Sequence, residues 1–512
     1  MDRYSYNNNL KFGKMSAGAK DAEREKIVNQ LLQVVANSSK EIKPDKEWSN
    51  SHSYYCGRNY GGFPMYCRRS DTYIDISDSH TLIIGATGSM KTRRLIVPGI
   101  KLLSRAGESM IVADPKAELF EYSAKTLDEQ GYEIYVLNFR EPLKGDCWNP
   151  LYLPYKFLQQ GDESKCCELL NDFVNSVIKV SGKDPYWDCS ARDLLFGLCL
   201  MIMKISQETG ECNSIHIGSA LKLRAELVDE KAAYILRGVK KWPLVYNSLL
   251  GTLTAPESKT RPSIFSTFDQ HLRIFSFSND LIEMMSQQTI ELDNFSDPAK
   301  KVAIFLIMPD EKTTYHPLIS LFIKQSYEYL IFLAQKNNSP FARRINYVLD
   351  EFSSLPAIHD FPAMITASRS RRIRFYLAIQ SNKQLEARYD AEAETIKSNC
   401  NNWIFLTSKE LAILRELSEL CGNVSENKPL HSAFQLQHLN KNTGEALLLL
   451  GRNYPFITTL QDIEYYGIKE QKMLLTQRPR KPVSYIEGLD SLLIPYSLYD
   501  NSINSLEELF DE

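Results

Sequence analysis

Lys91 and Thr92 close the stretch Gly85-Ala86-Thr87-Gly88-Ser89-Met90-Lys91-Thr92, and their types and spacing suit phosphate chemistry. A glycine-rich turn leads from the apolar run Thr81-Leu82-Ile83-Ile84 into the amphipathic stretch Arg93 to Leu103. Such a turn converges free backbone N–H groups on one point, where the phosphates of a nucleotide would sit. In the pattern G-x-x-x-x-G-K-[ST] the lysine reaches the β and γ phosphates and the hydroxyl ligates magnesium. Met90 departs from that pattern, which wants glycine where backbone approaches phosphate closely. The loop therefore predicts nucleotide binding and leaves turnover dependent on whether Met90 is tolerated.

A second element stands far along the chain. Ile345-Asn346-Tyr347-Val348-Leu349 is an apolar strand ending in the adjacent carboxylates Asp350 and Glu351. In this arrangement Asp350 would hold magnesium through water, and Glu351 would orient or deprotonate the attacking water. Each element alone has a plainer reading, a glycine-rich connector in one case and solvated acids after a buried strand in the other. Both in one chain, among alternating strand and helix signals, predict a magnesium-dependent NTPase. Between this strand and the next lies Ser368-Arg369-Ser370-Arg371-Arg372-Ile373-Arg374, at a helix end. The helix dipole and solvent suffice to explain such a cluster. It would otherwise sit at the nucleotide-facing edge of the sheet or at a subunit interface, where one arginine reaches a neighbour's γ-phosphate. Gln380, ending the following strand, is placed either to sense that phosphate or its water, or simply to cap the strand.

Positioning these groups takes a parallel sheet. Strands are expected at 81–84, 110–113, 134–137, 302–307, 345–349, 375–379 and 403–406, with helices between them and a helical pattern from Asp21 to Val35. From about 151 to 270 the strand signal fades into helical periodicity. The expected organisation is a polar N-terminal segment with a helix at 1–45 and a nucleotide-binding part at 46–150. An all-α insertion follows at 151–270, then a second nucleotide-binding part at 271–467 and an acidic tail at 468–512. After Lys481 that tail holds acids and no Lys or Arg. It is either a partner-docking segment or a solvated terminus.

Composition bounds the partners. A net charge of −3 argues against a uniformly basic nucleic-acid binder, so any DNA contact must come from local basic features. The ten cysteines form no C-x-x-C pair, which points to reduced thiols rather than a disulfide frame or zinc site. The longest apolar run, Leu194 to Met203, is too short to span a bilayer, and a cytoplasmic protein is expected, peripheral at the membrane only through a partner.

These pieces resemble the type IV coupling proteins, the TraG-like ATPases of bacterial conjugation and type IV secretion. Beyond the loop and Asp350-Glu351, the resemblance is carried by Val112-Ala113-Asp114-Pro115-Lys116-Ala117-Glu118-Leu119, Val136-Leu137-Asn138, Trp148-Asn149-Pro150-Leu151 and Asp184-Pro185-Tyr186-Trp187. It continues through Pro309-Asp310, His316, Arg369 to Gln380-Ser381 with Gln384-Leu385, Gly444-Glu445-Ala446 and Arg452. The resemblance implies a RecA-like P-loop NTPase domain, α/β with a parallel-rich sheet and an all-α insertion, in a homo-oligomeric, often hexameric ring. It implies ATP and Mg2+ as cofactors and makes Arg369 the arginine finger and Gln380 the glutamine of the third motif. The implied work is to recruit a relaxase–DNA complex or an effector protein and deliver it to the secretion channel. Family members usually begin with transmembrane helices, and none is evident here, so either a membrane-anchoring partner recruits the chain or it works in the cytosol. Two alternatives stand beside the motor: an adaptor that binds nucleotide with slow or no hydrolysis, and a related DNA translocase outside conjugation.

Overall fold

A computed structural model describes residues 17–42, 60–180, 184–227, 232–256, 258–309, 311–425, 428–470, 473 and 475–488. Among these, the strands in chain order are β1 (Leu32–Val35), β2 (Pro64–Arg68), β3 (Asp71–Ile74), β4 (Thr81–Gly85), β5 (Ser109–Asp114), β6 (Glu133–Asn138) and β7 (Val302–Ile307). Then follow β8 (Ile345–Leu349), β9 (Ile373–Ile379), β10 (Asn402–Thr407), β11 (Asn423–Ser425), β12 (Lys428–Pro429), β13 (Glu445–Leu450) and β14 (Phe456–Thr459). The chain divides into two compact units. One comprises Met1–Tyr135, Leu292–Asp310 and Tyr327–Leu474, the other Val136–Glu291, Glu311–Ser326 and Leu475–Glu512.

The first unit is built on a 9-stranded sheet of order β14-β13-β10-β4-β9-β8-β5-β7-β6. From β10 to β7 the neighbours are parallel, and β4, β5, β7, β8 and β9 are buried along their whole length. Helices cover both faces of such a sheet, which is why these strands read as unbroken apolar runs rather than alternating ones. The parallel register lines up Ile84 with Ile379, Leu349 with Leu377 and Ala113 with Leu349. Consequently Gly85, Gln380, Asp350 and Asp114 all emerge at one edge. β13 and β14 add an antiparallel hairpin outside β10. Arg94, buried just past the phosphate loop, fastens that hairpin by donating to Leu460 O and, at 2.9 Å, to Asn442 O.

One expected helix is shorter than its pattern. It ends at Val28, and Leu32–Val35 pairs instead with β3, Leu32 opposite Ile74 and Val34 opposite Thr72. There the burial alternates residue by residue, a period of two that the apolar pairs Leu31-Leu32 and Val34-Val35 conceal in the sequence.

The second unit is helical and wider than the expected 151–270. Its longest helix, Tyr186–Thr209, buries Leu194 to Met203 almost completely, so the longest apolar run is a helix core. No helix among the described residues is long and apolar enough to cross a membrane. The unit begins before 151 because Trp148 donates its N–H to Met284 O at 3.1 Å and sets its ring edge on Phe322 at 5.3 Å. It extends past 270 through the helix Asn279–Met285. Residues 475–488 also belong to it. Arg480 donates to Pro142 O at 2.6 Å, His216 Nε2 to Ser484 O at 2.9 Å and Lys222 Nζ to Ile486 O at 2.7 Å, and Ile486 is buried. The first part of the tail is thus docked on its own unit rather than solvated, and residues 489–512 lie outside the described ones.

The edge of the sheet opposite the phosphate loop is held by buried charge. Glu108, at the start of β5, accepts from Gly61 N at 2.8 Å, Asn346 Nδ2 at 2.9 Å, Arg374 Nη2 at 2.7 Å and Arg344 Nη1 at 3.2 Å. All three ionic side chains are 2% exposed or less. Removing one member of such a cluster leaves the others desolvated and unpaired, at about 3–5 kcal/mol. Glu108→Ala is therefore expected to lower the stability of the sheet unit by about that amount in chemical denaturation. A loss under about 1 kcal/mol would mean that water reaches Arg344 and Arg374.

Candidate active site

β4 delivers the chain to the loop through Gly85, where a Cβ would lie 2.5 Å from Ser89 Oγ and 3.0 Å from Lys91 Cγ, so only glycine lets the loop fold this tightly. Ala86 N donates to Thr407 O at 2.9 Å, tying the loop to β10, and Ser89 N donates to Ala86 O at 3.0 Å. Gly88 takes φ +75°. Met90 takes φ +68°, a left-handed conformation that glycine adopts freely and a side chain resists. The turn Thr92–Ile96 that follows is wound wide, with Val97 N–H reaching Thr92 O. Pro98, without an N–H, then sits in the first turn of the helix Val97–Arg105.

Lys91 is buried and donates to Gly85 O at 2.6 Å, folded back over its own loop. Burial lowers its pKa, opposed by Asp350 and Glu351. Ser89 Oγ is buried without a hydrogen-bond partner. Beside the loop, Thr92, Asp114, Pro115, Lys116, Glu118, Leu119, Asp350 and Glu351 line a cavity of about 40 Å³. Burial pushes the Asp350 carboxyl up to about 6; Lys91 pulls it down and Glu351 pushes it further up. Burial likewise raises Asp114 to about 7, against N–H donation from Phe120 at 2.8 Å. Two buried carboxyls short of positive charge make a site that a divalent cation beside Thr92 and Asp350 would relieve.

Glu351 adopts φ +55° and its carboxylate turns to Gln380. Gln380 Nε2 donates to Glu351 Oε1 at 2.7 Å and Oε2 at 2.5 Å, and Thr87 Oγ1 donates to Gln380 Oε1 at 2.9 Å. The sheet thus brings together the whole loop from Gly85 to Thr92 with Asp350, Glu351 and Gln380.

Arg369 stands apart. It lies in the turn before β9, and Gln380 follows that strand, whose 7 residues run roughly 23 Å at about 3.3 Å per residue. It is therefore not at the nucleotide-facing edge of its own sheet, because a parallel strand that presents Gln380 to the loop must start at the far side. Among the four arginines of the cluster, Arg371 donates to Ala367 O, Arg372 to Phe341 O and Arg374 to the buried Glu108. The Arg369 side chain is exposed, with no hydrogen bond or ion pair among the described residues, while its carbonyl accepts from Arg372 N–H at 3.0 Å. The helix before it, Phe361–Ser368, is gripped by buried His80, which donates from Nε2 to Ile365 O at 2.9 Å and accepts Phe375 N–H at Nδ1 at 3.0 Å. Burial drives the His80 pKa down to about 3, so the ring stays neutral in this role.

The carboxyl of Asp114 is the site residue that motif reading missed as chemistry. Its signal in the sequence was the strand end Val112-Ala113-Asp114, an apolar strand closing on an acid as β8 does. The described cysteines, all but Cys56, are free thiols, and burial pushes Cys147 up to about 11 and Cys166 up to about 12, where they pack as neutral groups. No cluster of His, Cys, Asp and Glu fit to hold a metal by itself occurs among the described residues.

A profile of the family described as "Type IV secretory system Conjugative DNA transfer" matches residues 14–446. The conjugal transfer protein TraG of Escherichia coli is 23% identical over 442 residues, covering 82% of this chain and 67% of TraG. VirD4 of Rhizobium radiobacter is 23% identical over 340 residues, 65% of this chain and 46% of that protein. The solved plasmid coupling protein TrwB, in complex with a non-hydrolysable ATP analogue, superposes with TM-score 0.55 at 14% identity, covering 79% of this chain and 89% of its own. TrwB in complex with ADP and Mg2+ gives TM-score 0.52 at 15% identity over 80% and 89%. The shared fold is that of a RecA-like P-loop NTPase.

The raised Asp114 pKa has a stability consequence of definite sign. A carboxyl whose folded pKa lies above its unfolded value, here about 7 against 3.8, binds its proton more tightly when folded. Its favourable contribution is complete below pH 3.8 and is lost as pH rises through about 7. Asp114→Asn keeps an acceptor for Phe120 N–H and removes the titration. In denaturation of the nucleotide-free protein, its stability relative to the parent should climb between pH 4 and 7 and level off above. A difference independent of pH would show Asp114 to be hydrated.

Proposed function

Because the chain belongs to the type IV secretory conjugative DNA-transfer family, we propose that it is an ATP-hydrolysing coupling protein. It would deliver relaxase-bound DNA, or an effector protein, to a type IV secretion channel. The observation that carries this reading is the meeting of Lys91, Thr92, Asp350, Glu351 and Gln380 at one sheet edge, a set that simple nucleotide storage does not need. The likeness to TrwB, which has been solved with nucleotides, supports the same reading.

In this reading the loop N–H groups and Lys91 bind the phosphates, and Lys91 exchanges Gly85 O for them. Thr92 and Asp350 would hold Mg2+, which supplies charge neutralisation along the phosphate chain. Glu351 accepts the proton of the attacking water. Arg369 acts on a neighbouring subunit's γ-phosphate, since roughly 23 Å separates it from its own loop. That role requires a homo-oligomer, for which a hexameric ring is the family's form. Met90 at φ +68° favours a second reading, an adaptor that binds nucleotide and turns it over slowly or not at all.

The test is steady-state ATP hydrolysis with and without DNA. Hydrolysis stimulated by DNA and abolished by Lys91→Ala is the expected result. Glu351→Gln should retain nucleotide and lose about 10²-fold or more in turnover. Arg369→Ala and Lys91→Ala, each inactive alone, should regain activity when mixed, because one subunit supplies the loop and the other the arginine. No recovery on mixing would return Arg369 to a structural role, and a silent parent revived by Met90→Gly would favour the adaptor.

A further inference from the structure

His80 immediately precedes β4 and is buried, and its backbone is tied to β10 by Asn402 N–H, which donates to His80 O at 3.2 Å. Its ring joins two further elements. Nδ1 accepts Phe375 N–H of β9 at 3.0 Å, so the ring proton is on Nε2, which donates to Ile365 O at 2.9 Å. Ser368 Oγ lies 3.2 Å from that nitrogen and donates to the same carbonyl at 3.1 Å. Ile365 and Ser368 belong to the last turn of the helix Phe361–Ser368, and Arg369 is the next residue. The turn is pinned again beyond it, where Arg372, at φ +63°, donates to Phe341 O at 3.1 Å and to Tyr60 OH at 2.8 Å. Between these anchors Ser370 and Arg371 donate back to Ala367 O at 3.1 Å and 2.9 Å, which leaves the Arg369 guanidinium as the group the turn presents.

We propose that His80 is a positioning residue for Arg369: it fixes the helix end to the sheet, so that the guanidinium stands where a neighbouring subunit's γ-phosphate meets it. A neutral imidazole suits the task, because it accepts at one edge and donates at the other from a rigid ring. A turn already fixed loses less freedom when its arginine engages a phosphate. Misplacing the arginine by about 1 Å would cost roughly 10²-fold in rate. β4 carries His80 at one end and its own phosphate loop at the other. A loss of fold at His80 would therefore damage its own loop, whereas a loss of positioning damages only the neighbour's site. The inference rests on the reading in which Arg369 acts across a subunit boundary, and adds to it the group that sets where the arginine stands.

The experiment measures ATP hydrolysis and amide hydrogen exchange of the full chain carrying His80→Phe, which keeps the ring and removes both nitrogens. KM for ATP should stay within about two-fold of the parent while kcat falls about 10²-fold. Mixing with Lys91→Ala should restore turnover, because the intact loop of the His80→Phe subunit then meets a well-held Arg369. Mixing with Arg369→Ala should restore nothing, and His80→Phe should cost no further rate in an Arg369→Ala background. Exchange should quicken over 366–372 and stay as in the parent over 85–92. Where His80→Phe does not fold, His80→Gln, which keeps a donor for Ile365 O, takes its place in the same mixtures with a smaller fall. Parental kcat, or a loss that Lys91→Ala fails to rescue, would overturn the role of His80. The reading beneath it fails separately. Parental turnover in Arg369→Ala removes the finger and this role with it. A parent that hydrolyses no ATP removes the motor, while unchanged exchange over 366–372 in His80→Phe still overturns the positioning and quickened exchange upholds it.

Discussion

Everything at this site depends on the parallel alignment of β10, β4, β9, β8, β5 and β7. Parallel strands send all their carboxyl ends the same way, about 4.8 Å apart from neighbour to neighbour. Residues more than 250 positions distant in the chain, Gly85 and Asp350 among them, therefore fall within side-chain reach at one edge. The same polarity fixes what lies opposite. His80, Glu108, Arg344 and Arg374 precede or begin their strands, so they gather at the far edge, where buried ion pairs and a neutral histidine hold the strand starts together. A phosphate-loop edge at one end and an arginine-bearing turn at the other are two results of one topological choice.

Electrostatics gives the nucleotide edge its character. Asp114, Asp350, Glu118 and Glu351 surround one small cavity with Lys91 and Lys116 as the neighbouring cations. Burial raises Asp114 and Asp350 and lowers Lys91, each shift disfavouring the charged form. Such an arrangement favours an added cation beside the carboxyls. Lys91 takes a backbone carbonyl and Glu351 an amide, each a neutral partner standing where a charged one would do better.

The strands and the loop were legible because both faces of a parallel sheet are covered, which writes them as short apolar runs with chemistry at their ends. Asp350, Glu351 and Gln380 were found for that reason. Legibility ended where a pattern has two periods or where the partner is distant in sequence. Leu32–Val35 fits a helix face and a strand face equally, and pairing with β3 decides it. The limits of the helical unit depended on Trp148, Met284 and the 475–488 segment meeting in space, which no local pattern records. The arginine cluster was visible as chemistry, but its edge of the sheet follows from the direction of β9 and from Arg374 being consumed by Glu108.

Met90 tests how far a motif's residue and its backbone can be separated. A side chain at φ +68° costs on the order of 1 kcal/mol relative to glycine. The loop nevertheless holds this conformation, with Arg94 N–H bonded to Met90 O at 2.9 Å and Ala86 and Ser89 fixed on either side. The frame that imposes the left-handed turn is thus made by Thr407 O, Ala86 O and the wide turn at Thr92, none of which depends on the residue at 90. Met90 thus differs from glycine here by the bulk of its half-buried side chain. The Met90 side chain therefore bears on the space beside Lys91 rather than on the backbone frame of the loop.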